Sequence, residues 1–159
     1  GTSTALSIDS LSTAEQKFLD QTDPDGEPVD IEPAILLVPT ALKVLAEQLM
    51  SSLKLTEGGA SSKSKAPTDN PHAGKFEPLS SKYLGNSAYT GYSQKAWYLF
   101  ADPNDVAAFE VAFLNGRDMP TVEQAAADFN KLGISFRGYL DFGVKEQEYR
   151  AAVKMKGEA

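Results

Sequence analysis

The chain has 159 residues, of which 42% are hydrophobic and 23% charged, and its net charge is -7. This length and composition are typical of one globular domain, or of two small lobes that share a sheet. The negative charge argues against specific or non-specific nucleic-acid binding, which depends on clustered Lys and Arg side chains. The absence of cysteine excludes disulfides and thiol catalysis. No apolar run approaches the roughly 20 residues that cross a bilayer, so no membrane partner is expected.

The first predicted helix begins at the capping box Ser12–Glu15. The Ser12 hydroxyl can accept from the amide of Glu15, whose carboxylate can reach back to the start of the helix. We expect about two turns with Phe18 and Leu19 on the apolar face.

Pro24 and Gly26 then predict a turn between this helix and the next strand. The nearby Asp23 and Asp25 superficially suggest a calcium loop. The spacing does not fit an EF-hand, because glycine falls at position four rather than six and Ala34 occupies position twelve.

The strongest core signal is the stretch Ile31–Leu53. Its continuous apolar run Ile35–Val38, bounded by prolines, predicts a strand that is buried on both faces. After Pro39 the apolar residues recur at helical spacing, which predicts an amphipathic helix packed into the core. Its predicted apolar face consists of Leu42, Leu45, Ala46, Leu49, Met50 and Leu53.

The segment Thr56–Gly74 is rich in Gly, Ser, Lys and Pro, and it predicts a long mobile loop. It contains His72, the single histidine of the chain. Further strands are predicted at Phe76–Leu84, where Pro78 limits the segment to an irregular or edge strand, at Ala96–Ala101 and at Phe109–Leu114.

The last part of the chain gives conflicting signals. Thr121–Gln124 forms a second possible capping box, and local propensity favours a helix there. Residues from Ile134 to Val144 predict a long strand, with Tyr149–Met155 as its partner in a two-stranded ribbon. The order of elements predicts an α+β fold with a mixed sheet and packed helices.

The sequence contains no recognisable catalytic, cofactor-binding or metal-binding constellation. It has no G-x-S-x-G elbow, dinucleotide fingerprint or P-loop, and a single histidine in a loop is a poor acid–base group. A hydrolase therefore lacks a site, and no enzymatic activity, cofactor or metal is expected. A small-molecule or peptide-binding module with Trp97 and Tyr98 in a pocket is the alternative hypothesis.

Several blocks of the sequence resemble the major capsid proteins of tailed phages and prophages of the Hong Kong 97 type. These blocks are LLVP running into an Ala/Leu helix, NPHAGKFEPLSSKYL, AWYLFADP, FEVAFLNG and the closing LGISFRGYLDFGVKEQEYRAAVKMKG. The closing block is similar to that of head subunits fused to a head-maturation protease. The resemblance covers roughly residues 6–157, and it implies a structural protein of the virion.

The resemblance implies an A-domain-like part at residues 1–118, including the mobile loop 56–74, and a P-domain-like strand ribbon and tail at 119–159. It also favours an extended conformation for Pro120–Ala126. The N-terminal arm, extended loop and spine helix of the family have no counterpart here, so the resemblance implies the C-terminal portion of a subunit.

The implied partners are other copies of the subunit, arranged as hexamers and pentamers of an icosahedral shell, without a small-molecule substrate. The protein would be made in the bacterial host cytoplasm and would reside in the virion. Side chains at Thr56–Gly74 and Tyr83–Tyr92 are the predicted subunit contacts. The candidates are Lys63, Lys65, His72, Tyr83, Tyr89 and Tyr92.

Overall fold

The computed structural model describes residues 3–55, 68–125 and 132–158. The chain divides into two compact units, which we call the core unit (Gly1–Ala108 with Glu148–Ala159) and the ribbon unit (Phe109–Gln147). Its helices are α1 (Ile8–Leu19) and α2 (Lys43–Ser51). Its strands are β1 (Pro33–Pro39), β2 (Lys54–Leu55), β3 (Thr68–Asp69), β4 (Glu77–Ser81), β5 (Trp97–Ala101), β6 (Phe109–Phe113), β7 (Thr121–Gln124), β8 (Phe136–Tyr139), β9 (Phe142–Glu146) and β10 (Ala152–Met155).

The core unit is built on a four-stranded mixed sheet in the order β10–β5–β1–β4. Strand β1 is parallel to β4 and antiparallel to β5, which confirms the predicted central strand and the α+β class. Pro78 lies in β4, at the edge of the sheet, as its missing amide proton requires.

One face of the sheet carries the hydrophobic core. Leu36 of β1 lies opposite Leu99 of β5, and both side chains are fully buried in one cluster with residues of α1 and α2. On the other face, Ile35 and Leu37 are only half-buried. The prediction of a strand buried on both faces therefore holds for the helix-covered face alone.

Helix α1 begins five residues earlier than predicted. Ser7 is its N-cap: the Ser7 hydroxyl accepts from the Ser10 amide (3.2 Å), and the Ser7 amide donates to the Ser10 hydroxyl (2.9 Å). The longer helix places Leu11 and Ala14 in the core together with Phe18. The predicted capping box at Ser12 is wrong because Ser12 lies inside the helix. Leu19, which was predicted to lie on the apolar face of this helix, is exposed to solvent.

The turn after α1 is confirmed. The Asp23 side chain accepts from the backbone amides of Asp25 and Glu27, both at 2.9 Å. Gly26 adopts a φ of +89°, a conformation that glycine tolerates without steric strain.

Helix α2 follows a short 3-10 turn at Thr40–Leu42 and packs against β1 and β4. Ala46, Leu49 and Met50 are buried, which confirms the amphipathic helix. Leu45 and Leu53 are exposed instead of buried, since α2 ends at Ser51 and covers the sheet with a narrower face than the spacing predicts.

The predicted pairing at the end of the chain is wrong. Strand β10 joins the core sheet beside β5, with Met155 opposite Trp97. Phe136–Tyr139 and Phe142–Glu146 form two separate strands, β8 and β9, which pair with β7 and β6. Strand β7 confirms the extended conformation over Thr121–Gln124, because the ladder with β8 overrides its local helix propensity.

The segment that follows β10 in the core unit requires glycine at position 157. Gly157 has a φ of +72°, and a Cβ atom there would lie 1.9 Å from the carbonyl oxygen of Lys95. Beside it, the amide of Glu158 donates to the Thr4 hydroxyl at 2.9 Å. Residues near the two ends of the described chain therefore meet in one place.

We expect Leu99→Ala to lower the free energy of unfolding by about 2–5 kcal/mol, because it leaves a cavity beside Leu36 in the core. Leu53→Ala is the matched control, since Leu53 is 76% exposed, and it should change stability by less than about 0.5 kcal/mol. Urea denaturation followed by tryptophan fluorescence measures both. Equal effects of the two substitutions would contradict the assigned core.

Candidate functional site

The described part of the predicted mobile loop, residues 68–74, is ordered against the end of α2. Asn70 is buried, and its Nδ2 donates to the carbonyl oxygens of Leu49 (2.6 Å) and Ser52 (2.9 Å). The Gly74 amide donates to the carbonyl of Met50 at 2.8 Å. These bonds satisfy carbonyl groups that the end of a helix leaves without partners. The rest of the predicted loop, Thr56–Pro67, lies outside the described residues.

The amide oxygen of Asn70 positions His72. It accepts from the His72 backbone amide at 3.0 Å, and the imidazole packs against the Phe76 ring with centroids 5.8 Å apart. His72 is only 3% exposed. It is therefore a core histidine rather than a surface loop residue, and in this arrangement it cannot offer its imidazole to a neighbouring subunit.

The polar partners of His72 come from α1. Its Nε2 lies 2.9 Å from the Ser12 hydroxyl, and its Nδ1 lies 3.6 Å from Glu15 Oε2. Lys75 forms an ion pair with the other carboxylate oxygen of Glu15. This cluster joins the segment after β3 to the middle of α1.

Burial governs the protonation of this cluster. Desolvation lowers the pKa of His72 below its ordinary value of 6.5, the Glu15 carboxylate opposes that shift, and the Lys75 ammonium adds to it. The imidazole is thus held towards its neutral form within the fold.

Ser12, His72 and Glu15 follow the order of a nucleophile, base and orienting acid, but the geometry does not support hydrolysis. The 3.6 Å separation of His72 Nδ1 and Glu15 Oε2 is too long for a hydrogen bond, and Nδ1 has no hydrogen-bond partner among the residues that the structure describes. Ser12 sits inside α1, where helical bonding occupies the backbone amides that an oxyanion would need. Its hydroxyl also lies 3.1 Å from the Ile8 carbonyl oxygen.

The alternative hypothesis, a binding module with Trp97 and Tyr98 in one pocket, does not fit the structure. Trp97 is fully buried in the core, and its Nε1 donates to the carbonyl of Thr4 at 2.9 Å. Tyr98 lies on the other face of the sheet, where its ring stacks on Phe100 and the Lys154 ammonium lies 5.7 Å from its centroid. The two aromatic rings point to opposite faces and cannot line one site.

The three tyrosines predicted as contacts lie between β4 and β5, and all three are exposed. Tyr83 and Tyr89 meet edge to face with ring centroids 5.5 Å apart, and Tyr92 lies nearby in sequence. The Tyr92 amide donates to the Tyr89 carbonyl at 3.3 Å. Lys63 and Lys65 lie outside the described residues.

Sequence reasoning missed the most unusual surface, which belongs to the ribbon unit. None of its described residues is buried, and only Phe113, Thr121 and Glu123 are half-buried. The alternation of Phe109, Val111 and Phe113 was the available signal for an apolar strand face.

Within residues 3–55, 68–125 and 132–158, no helix has the length and apolar character needed to traverse a membrane. The same ranges hold no group of three or more His, Asp or Glu side chains suited to a metal ion.

A family model described as "Phage capsid protein" matches residues 1–155. The match extends through both the core unit and the ribbon unit. No curated protein and no solved structure matches the chain.

Asn70→Ala should lower the free energy of unfolding by about 1–3 kcal/mol, because it leaves buried backbone groups of Leu49 and His72 without partners. Asn86→Ala is the matched control: the Asn86 side chain accepts from the Ala88 amide in an exposed turn. Chemical denaturation of both variants measures the difference. A loss for Asn86→Ala as large as that for Asn70→Ala would contradict the proposed role of Asn70.

The lowered pKa of His72 predicts a loss of stability in mild acid. The unfolded chain takes up the proton more readily than the folded chain, so this contribution is complete above the unfolded pKa of about 6.5 and is lost as pH falls through the folded pKa. Between about pH 8 and pH 5, wild type should lose more stability than His72→Gln, which lacks this titration.

Glu15→Gln should make the loss of folding stability in mild acid steeper than in wild type, since it removes the carboxylate that raises the pKa of His72. Denaturant titrations across the pH range measure all three proteins. Parallel pH profiles for wild type and His72→Gln would exclude a lowered pKa at His72.

Proposed function

Because the chain belongs to the phage capsid protein family, we propose that it is part of a major capsid subunit of the Hong Kong 97 type. In this proposal, copies of the subunit assemble through repeated contacts into an icosahedral shell, as hexamers and pentamers. The protein is made in the host cytoplasm and resides in the virion. Its role is structural, and we assign it no enzymatic activity.

The observation that carries the proposal, beside the family match, is the exposed apolar surface of the ribbon unit. A two-stranded ribbon is marginally stable by itself in water, and here no described residue from Phe109 to Gln147 is buried. Contiguous exposed apolar surface is typical of protein–protein contacts. A subunit of a shell has neighbours that can cover such a surface.

The domain assignment is part of the same proposal. Residues 1–118 correspond to the A-domain and residues 119–159 to the P-domain side of the subunit. The compact units divide instead after Ala108 and after Gln147, and β10 belongs to the core unit. The kinship with subunits fused to a head-maturation protease stays a prediction.

The exposed tyrosines are the proposed contacts of the core unit. Tyr83, Tyr89 and Tyr92 are rigid amphipathic side chains in a turn-rich segment, and such residues are enriched at interfaces. Lys63 and Lys65 remain candidate contacts, while the buried His72 acts on the fold of the segment that leads into β4.

Expression of the full-length gene product in bacteria tests the function. We expect closed shells of uniform diameter by negative-stain electron microscopy and a single fast-sedimenting species. A double substitution Tyr83→Ala/Tyr89→Ala should reduce shell yield while leaving the circular dichroism spectrum unchanged, with Tyr149→Ala, another exposed tyrosine, as the control. A product that stays monomeric at high concentration would contradict the proposal.

A further inference from the structure

We propose that copies of the chain associate head to tail, so that the tyrosine loop of one copy binds the acidic turn of the next. The tyrosine loop is residues 82–95, between β4 and β5, and the acidic turn is residues 20–32, between α1 and β1. This inference rests on the proposed function, because it names the surface that meets the tyrosine contacts between subunits.

Charge is divided unevenly between these two segments. Residues 78–101 contain two bases, Lys82 and Lys95, and no acid. Residues 18–42 contain six acids and no base. The net charge of -7 therefore combines a strongly negative segment with a positive one. The six acids are Asp20, Asp23, Asp25, Glu27, Asp30 and Glu32.

The fold places the two segments at opposite ends of the core sheet. The acidic turn leads into the start of β1, where Pro33 lies opposite Ala101. The exposed Asp102 follows Ala101 directly and adds a further carboxylate at this end. The tyrosine loop begins after Ser81, which lies opposite Pro39 at the other end of β1. Because β1 has seven residues, the points where the two segments join the sheet are roughly 20 Å apart.

This separation keeps the charges of one copy from neutralising each other. It exceeds the Debye length, which is about 8 Å at physiological ionic strength. The side chains of Lys82, Lys95, Asp25 and Glu27 are exposed, and none of them forms an ion pair with another described residue. These charges are therefore available to a neighbouring molecule.

Other charges near the two segments do not cancel the difference. The carbonyl of Arg150 bonds to the acidic turn, but the Arg150 side chain pairs with Glu148. Lys17 flanks the acidic turn in the last turn of α1, as a single base against six acids. Beside the tyrosine loop, the exposed Lys156 and Glu158 have opposite charges and balance each other.

This division of charge selects a second copy as the partner of the tyrosine loop. The complementary surface is an acidic one, and the far end of the same chain supplies it. Two acidic turns, or two tyrosine loops, would meet with like charges, which disfavours a symmetric pairing. The contact therefore joins unlike surfaces, and contacts of this kind close into rings or extend as open chains. The proposed hexamers and pentamers are rings of this kind.

Both surfaces have the order and chemistry that such a contact needs. The Asp23 side chain accepts from the amides of Asp25 and Glu27, both at 2.9 Å. The acidic turn therefore loses little conformational freedom on binding. The rings of Tyr83 and Tyr89 meet edge to face with centroids 5.5 Å apart. Tyrosine hydroxyl groups can donate charge-assisted hydrogen bonds to carboxylates, beside the attraction that Lys82 and Lys95 provide.

The salt dependence of association is the first test, and it needs no variant. We expect the association constant of the 159-residue chain, measured by sedimentation equilibrium, to fall at least tenfold between about 0.05 M and about 0.5 M NaCl, because salt screens the attraction between exposed charges. Association that strengthens with salt would show that net repulsion dominates, and it would overturn the proposal. Wild-type protein that stays monomeric at every concentration would also overturn it.

Two double variants test the two surfaces separately. Lys82→Glu/Lys95→Glu makes the tyrosine loop negative, and Asp25→Lys/Glu27→Lys removes most of the negative charge of the acidic turn. Each should lower the association constant at low salt at least tenfold, with an unchanged circular dichroism spectrum. Lys54→Glu/Lys154→Glu, at exposed positions outside both segments, is the matched control for charge and should lower it by less than about threefold.

The acidic-turn variant separates local attraction from net charge. It makes the chain four charges less negative, so net repulsion alone predicts tighter association, whereas the proposed contact predicts weaker association. Association of Asp25→Lys/Glu27→Lys as tight as that of wild type, or tighter, would therefore overturn the proposal.

Mixing the two double variants tests the head-to-tail arrangement. The loop variant keeps an intact acidic turn, and the turn variant keeps an intact tyrosine loop. Each should be monomeric alone, and an equimolar mixture should form one-to-one complexes with an association constant within about threefold of wild type. A mixture that stays monomeric while both variants remain folded would overturn the proposed contact.

The same substitutions in the full-length gene product separate this inference from the proposed function. Shells that form equally well in wild type and in both double variants would refute the inference and leave the proposed function standing. One-to-one complexes from the mixture, in a protein whose full-length form never makes closed shells, would support the contact and contradict the function.

Discussion

The packing of Leu36 against Leu99 on the helix-covered face of the sheet is the interaction on which the core unit depends. The two residues sit opposite each other in the two central strands, and both helices bury their apolar side chains against the same face. Burial of side chains of this size contributes about 1.5–3 kcal/mol each. The polar cluster around His72 and the bonds of Asn70 then fix how the segment after β3 approaches that core.

The ribbon unit is ordered by different interactions from those of the core unit. Its order comes from the ladders β6–β9 and β7–β8, with an ion pair between Glu123 and Arg137 across the second ladder. Exposed ion pairs contribute little, about 0–1 kcal/mol. Among the described residues, these strands bury no side chain. The contrast between the two units is therefore one between a buried apolar core and hydrogen-bonded strands that are exposed to solvent.

Sequence reasoning located the elements whose signal is local. The run Ile35–Val38 between prolines and the aromatic strand Trp97–Ala101 are both in place, because continuous β-favouring residues specify strands by themselves. The long-range pairings could not be predicted in this way. The sequence of β10 is equally compatible with pairing to the strand that precedes it. Only the packing of the core around Trp97 determines that β10 pairs with β5.

The contacts of the candidate site also join residues far apart in the sequence, and they were even harder to predict than the strand pairings. The composition of Thr56–Gly74 predicts a single mobile loop. In the structure, however, Asn70 is bonded to the end of α2 and His72 contacts side chains of α1. A buried histidine cannot be distinguished from an exposed one by its neighbours in sequence when its partners, Ser12 and Glu15, lie about 60 residues away. The extended conformation of β7 was favoured by family resemblance, against its local propensity, since the stabilising partner β8 is also non-local.

The position of β10 has a consequence for biogenesis. The ribbon unit is inserted between β5 and β10, so the fourth strand of the core sheet is synthesised only after the whole ribbon. Met155 and Ala151 are buried members of the core, and Gly157 and Glu158 complete its contacts with Lys95 and Thr4. A chain that stops within the ribbon would present an apolar face on an unfinished sheet. Synthesis of the chain in order therefore leaves the core sheet without its fourth strand until β10 has been translated, so the core unit is completed after the ribbon unit is made.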